Sequence, residues 1–151
     1  MRIVIVNYAH RAEDRTPDAV VDAWPTLEGW AQGLREAGAE VAVVIGFVED
    51  TMLRRQQVDY HFVSGSFAPH MSSWRWPRRL HRVVLDLSPD VVHLNGLIYG
   101  LQAHSLRRQL PSPSILVAQH HGGLPATGWR RPRRRAETTR RQSAATVSGA
   151  P

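Results

Sequence analysis

Ile115-Leu116-Val117-Ala118 runs without a break into Gln119, His120, His121, Gly122 and Gly123. Four residues that belong in a buried strand thus end in an amide, two imidazoles and two glycines. Two other apolar runs end alike: Ile3-Val4-Ile5-Val6 in Asn7 and Tyr8, and Val91-Val92-His93-Leu94 in Asn95-Gly96. Ligands of open parallel sheets bind beyond the carboxyl ends of the strands, where loops and helix N-termini converge with unpaired backbone N–H groups. The polar ends form one candidate binding rim: Asn7, His93, Asn95, Gly96, His120, His121, Gly122 and Gly123.

Each member also has a plainer role open to it. His93 fits a core histidine satisfied by a backbone carbonyl as well as a ligand contact. Asn95-Gly96 serves equally as a helix-entry turn, and a glycine pair often only marks a turn. His120 and His121 are adjacent, so at most one faces a cleft while strand geometry persists. His93, His120 and His121 suffice by number for zinc, but HExxH-type spacing and a nearby carboxylate are both missing, so no metal is expected. His10, His61, His70, His81 and His104 are scattered and suggest no role.

The elements that must hold this rim follow from periodicity. After the first strand, residues 9–24 are polar and loop-like. From Pro25, the residues Leu27, Trp30, Ala31 and Leu34 mark one face of a helix, with Thr26 as its cap and Gly38 as its stop. Val41 to Ile45 and Tyr60 to Val63 are strands, residues 65–75 a long loop. Leu80, Val83, Val84 and Leu87 repeat the helical spacing up to Pro89. Val91 to Leu94 is a fourth strand, residues 97–109 a helix, and Ile115 to Ala118 a fifth strand. Strands alternating with helices predict an α/β fold, a Rossmann-like, doubly wound parallel sheet of about five strands joined by right-handed crossovers.

Composition narrows the function. The 151 residues suit one domain and include no cysteine, which removes disulfides, thiolate zinc sites and cysteine nucleophiles. No apolar run reaches the length of a signal-peptide core or a transmembrane segment. Residues 1–128 hold 12 arginines and 12 acidic residues, so the net charge of +6 comes from residues 129–151, where seven arginines face Glu137 alone. That segment, "WRRPRRRAETTRRQSAATVSGAP", is too poor in apolar residues to offset its ordering entropy and is expected to be a disordered basic tail. The phosphate-binding signatures G-x-G-x-x-G and G-x(4)-G-K-[ST] and the nucleophile turn G-x-S-x-G are absent.

In order, "RIVIVN", "GLREAGAEVAVV", "LSPDVVHLNGL" and "SILVAQHHGG" resemble the N-terminal domain of GT-B fold glycosyltransferases, in particular the large retaining group of glycosyltransferase family 4. The resemblance covers about residues 1–128. It implies an acceptor-side domain and transfer of a sugar from a nucleotide-diphosphate donor to an acceptor with retention. It also implies that His121 faces the donor sugar as the catalytic histidine, with no cofactor and no metal. "VVDAWPT" stands where the family usually carries a Gly-Gly pair near the donor phosphates. The donor-binding C-terminal domain of the family has no counterpart here, so a truncated or frameshifted transferase, inactive as an isolated chain, is expected. Two alternatives are one subunit of a split two-chain transferase and a non-catalytic nucleic-acid or anionic-surface binder acting through the arginine tail. The tail lacks interleaved aromatics and a reading helix, so no specific nucleic-acid partner is expected. The expected location is cytoplasmic, with a peripheral place at the inner membrane face left open.

Overall fold

The computed structural model describes residues 1–8, 13–65 and 76–119. The basic tail at 129–151, most of the loop expected at 65–75, His10, His70 and the stretch His120 to Gly123 lie outside the described residues.

Strand β1 (Arg2–Asn7) is central to a six-stranded sheet. Chain order continues with helices α1 (Pro17–Asp22) and α2 (Pro25–Glu36), strands β2 (Glu40–Gly46), β3 (Thr51–Arg55) and β4 (Val58–Val63), and helix α3 (Arg78–Asp86). Strand β5 (Val91–Asn95), a single 3-10 turn at Leu97–Tyr99, helix α4 (Gly100–Gln109) and strand β6 (Ile115–Gln119) complete it. The spatial order is β3-β4-β2-β1-β5-β6, with every pairing parallel except β3 against β4.

This is the expected doubly wound α/β sheet, and β1 and β2 are buried along almost their whole length, as strands covered on both faces must be. Alternate residues divide the core between the two faces. Ile3, Ile5, Val43 and Ile45 pack with Val20, Val21, Leu27 and Ala31 of α1 and α2. Val4, Val6, Val44, Val92 and Leu94 pack with Leu80 and Val84 of α3 and Leu106 of α4. The chain leaves β1 toward one face and reaches β5 from the other. The carboxyl ends of β1 and β5 therefore flank the point where strand order reverses, the usual crevice of such sheets.

Three local readings need correction. Residues 9–24 are not loop throughout, because Thr16 accepts a hydrogen bond at Oγ1 from the Ala19 N–H and, with Pro17 in the first turn, starts α1. Thr26 does not cap α2: Trp24 holds the cap position and Pro25, whose missing N–H costs nothing there, begins the helix. A sixth strand, β3, joins the expected five as an antiparallel edge. Gly38 does end α2, at φ +87, where its N–H donates to the Arg35 carbonyl and that of Ala39 to the Leu34 carbonyl.

Candidate functional site

The rim can be built outward from register. Asn95 is paired with Gln119. Asn7 stands one residue beyond the Val6–Leu94 pair, level with Asn95. Asn7, Asn95 and Gln119 therefore form a row of three amides across adjacent strand ends. In-register residues of parallel strands share a face, and the row lies on the face of α2 because Ile3, Ile5 and Val91 of the same parity pack there. One step down each strand, Ile5, His93 and Val117 form the row beneath.

Burial makes this row chemically unusual. Asn7 is 3% exposed and its Nδ2 has no hydrogen-bond partner, and the buried Oε1 of Gln119 also lacks one among the described residues. A buried donor or acceptor left unmatched costs roughly 1–3 kcal/mol. The row thus holds one unmatched donor and one unmatched acceptor among the described residues, both closed off from solvent in this conformation; a hydroxyl is a group that can serve both kinds.

Gly96 sets the direction of the chain above the row. Its φ of +114 lies where a side chain is strained, and its N–H donates to the Gln119 carbonyl at 2.9 Å, closing the end of β5 onto β6. The 3-10 turn that follows carries Tyr99, whose ring meets Tyr8 edge-on with centroids 5.2 Å apart. His93 is half-buried, and its ring stacks on Trp30 of α2 at 5.6 Å and 28°. That stack was not legible in the strand pattern.

Tyr8 and His81 depart from expectation in opposite senses. Tyr8, expected on the polar rim, is buried, and its hydroxyl lies 2.9 Å from His81 Nε2. His81, to which the sequence suggested no role, is 2% exposed on α3 beneath it. Gln109 Nε2 donates to the Ser105 carbonyl at 3.0 Å and to His81 Nδ1 at 3.4 Å. Nδ1 is then the accepting nitrogen, and Nε2–H donates to Tyr8. Burial lowers the His81 pKa to about 4 and pushes the Tyr8 phenol well above its usual range. The pair clamps α3 and α4 under the end of β1 as a neutral unit.

The structure brings Asn7, His93, Asn95 and Gly96 together with Gln119. His120, His121, Gly122 and Gly123 follow β6 directly but lie outside the described residues. Among the described residues no group of three or more His, Cys, Asp or Glu could hold a metal ion, and no helix is long and apolar enough to cross a membrane. The amide row carries no charged side chain, so it offers shape and hydrogen bonds and leaves charge to the ligand.

No curated protein matches the chain. The model of the family described as Glycosyltransferase Family 4 matches residues 26–148, from the first turn of α2 through β6 and across the arginine-rich segment. The match contains β2 to β6 with two of the three amides of the rim. The chain belongs to glycosyltransferase family 4.

Proposed function

We propose that this chain forms the acceptor-side wall of a glycosyltransferase that moves a sugar from a nucleotide-diphosphate donor to an acceptor with retention at the anomeric carbon. The observation that carries the reading is the amide row Asn7, Asn95 and Gln119 at the point where strand order reverses. Unmatched amide groups suit a hydroxyl-rich substrate, and family membership supplies the reaction class. His121, two residues beyond Gln119, takes the place beside the donor sugar. It and the amides hold the reacting groups in line and stabilise charge as the anomeric carbon becomes oxocarbenium-like.

The described residues form one sheet and so one wall. A donor held on one side only loses the orientation on which the rate depends, so the protein works against a second wall, whether a further domain or a partner chain. The same reading puts the chain in the cytoplasm and leaves a peripheral place at the inner membrane face open.

The test has two arms. The purified chain incubated with UDP- and GDP-sugars is expected to give neither transfer nor hydrolysis, and turnover would refute the one-wall proposal. With a nucleotide-binding domain of a family 4 enzyme supplied in trans, product formation is expected with the anomeric configuration of the donor, read by NMR. His121→Ala should abolish it. Inversion, or unchanged transfer by His121→Ala, overturns the mechanism.

A further inference from the structure

The two edges of the sheet differ in what they offer another chain. At one end, β3 carries Arg54, 3.5 Å from Asp59, and Arg55, which pairs with Asp22 at 2.6 Å and Glu28 at 3.0 Å. Charged side chains on an edge strand oppose pairing with a further strand. At the other end, β6 reads Ile115-Leu116-Val117-Ala118-Gln119, with no charge, no proline and no glycine. Its Ile115 and Val117 side chains are exposed.

The backbone of β6 states what fits beside it. The Ile115 N–H donates to the Asp90 carbonyl and the Gln119 carbonyl accepts from the Gly96 N–H, each at 2.9 Å, so residues 115, 117 and 119 turn their backbone groups toward β5. Backbone groups alternate in direction along a strand. Leu116 and Ala118 therefore each turn an N–H and a C=O away from β5, and among the described residues no strand lies on that side. Donors and acceptors at this spacing, between uncharged side chains, match the edge of another strand. The other strands of the chain are already placed in the sheet. In the sequence beyond β6 the only large apolar residues are Leu124, Trp129 and Val147, no two of them adjacent, so residues 120–151 hold no run of strand pattern. A second copy of the chain does supply one, its own β6.

We propose that two copies of the chain pair edge to edge through β6 to form one continuous sheet. A two-fold axis perpendicular to the sheet makes the pairing antiparallel and isologous. With the axis at Val117, Leu116 exchanges both of its hydrogen bonds with Ala118 of the partner subunit. The two Val117 residues then form a non-hydrogen-bonded pair, with Cα atoms about 4.5 Å apart and side chains together on the face of α2. No charge on either strand opposes this contact. Because β3 is blocked, each molecule has one pairing edge, and the assembly closes at two copies instead of growing into a filament. The antiparallel setting points the two rims in opposite directions. The second copy thus supplies no second wall to the crevice, and the proposal is independent of the transferase reading.

Sedimentation velocity and residue-resolved amide exchange of the whole chain test it. A reversible monomer–dimer equilibrium is expected, with a Kd on the order of 10–100 μM for an interface at the small end of the size range. At high protein concentration the Leu116 and Ala118 amides should be protected, and on dilution they should exchange quickly. The Val117 amide, which faces β5, should stay protected at both concentrations. Val117→Lys and Val117→Glu change an exposed side chain and set two like charges opposite each other at the axis. Each should raise Kd about tenfold or more. Mixing the two variants should restore association to the parental strength, which misfolded variants could not do. The proposal is overturned if the parent is a monomer at about 1 mM, well above the expected Kd, or if the mixed variants associate no better than either alone. It is also overturned if the Leu116 and Ala118 amides are protected in the monomer, which would assign the edge to the chain's own residues.

Discussion

At the scale of single residues, the Tyr8–His81 pair shows how burial decides what a histidine can do. The imidazole lies beneath β1 with Nδ1 facing the Gln109 amide and Nε2 facing the Tyr8 hydroxyl. Burial disfavours the charged form, and a second proton would have to be placed on Nδ1 against a donor. The folded-state pKa is accordingly lowered to about 4 from 6.5. Between these values the unfolded chain binds more protons than the folded one, so stability falls as pH drops from 6.5 toward 4 and this group adds nothing further below that. The loss is roughly 1–3 kcal/mol. Urea unfolding at pH 7 and pH 4.5 measures it, and His81→Gln, which keeps a donor toward Tyr8, should show a correspondingly smaller difference between the two pH values. An equal difference in parent and variant would assign the pH dependence elsewhere. None of this was legible in the sequence, where His81 is one of five scattered histidines and only the fold brings residue 81 to residue 8. Asn7, Asn95 and Gly96, in contrast, were legible as site candidates because each ends an apolar run.

At the scale of elements, the long helices and buried strands were readable because their apolar periods are complete. The two missed elements are short and marginal. α1 buries only Val20 and Val21, too few for a period, and its one signal was Thr16-Pro17-Asp18. β3 alternates half-buried and exposed residues at the edge, and its hairpin with β4 turns through Gln56 and Gln57, at φ +49 and +64. Such two-residue turns favour Asn-Gly because both central residues adopt left-handed angles. Gln-Gln gives no such signal and carries the strain instead. Replacing the pair by Gln56→Asn and Gln57→Gly should stabilise the chain by about 1 kcal/mol, seen as a higher urea midpoint with the slope unchanged. The Arg35 contact to Gln57 lost in the exchange is exposed and contributes little. A lower midpoint would mean that the glutamine side chains hold the hairpin.

At the scale of the whole molecule, the stabilising part of the sheet and the part proposed to face a ligand are set apart along the strands. Below the rim, β1 is apolar on both faces and sealed by α1 and α2 on one side and α3 and α4 on the other. At the rim, Asn7 is buried at the switch point, its Nδ2 without a hydrogen-bond partner among the described residues. The face of α2 also stops short of β6, where Ile115 and Val117 are 58% and 46% exposed. The crevice is a product of the complete chain path; the ends of the apolar runs had a sequence signal, while the Trp30–His93 stack beside them had none. On the proposed reading such an arrangement trades stability for recognition, and Asn7→Leu puts the trade to measurement. Leucine shares the branch point and heavy-atom count of asparagine and removes a buried donor whose lack of a partner costs roughly 1–3 kcal/mol, set against the overpacking cost of its larger methyl groups. The variant should therefore unfold at the same or higher urea concentration than the parent, while its transfer activity in the trans assay falls at least tenfold. Loss of both stability and activity would show that the amide is held by the fold. Higher stability with full activity would remove Asn7 from the site and leave Asn95 and Gln119 to carry the rim.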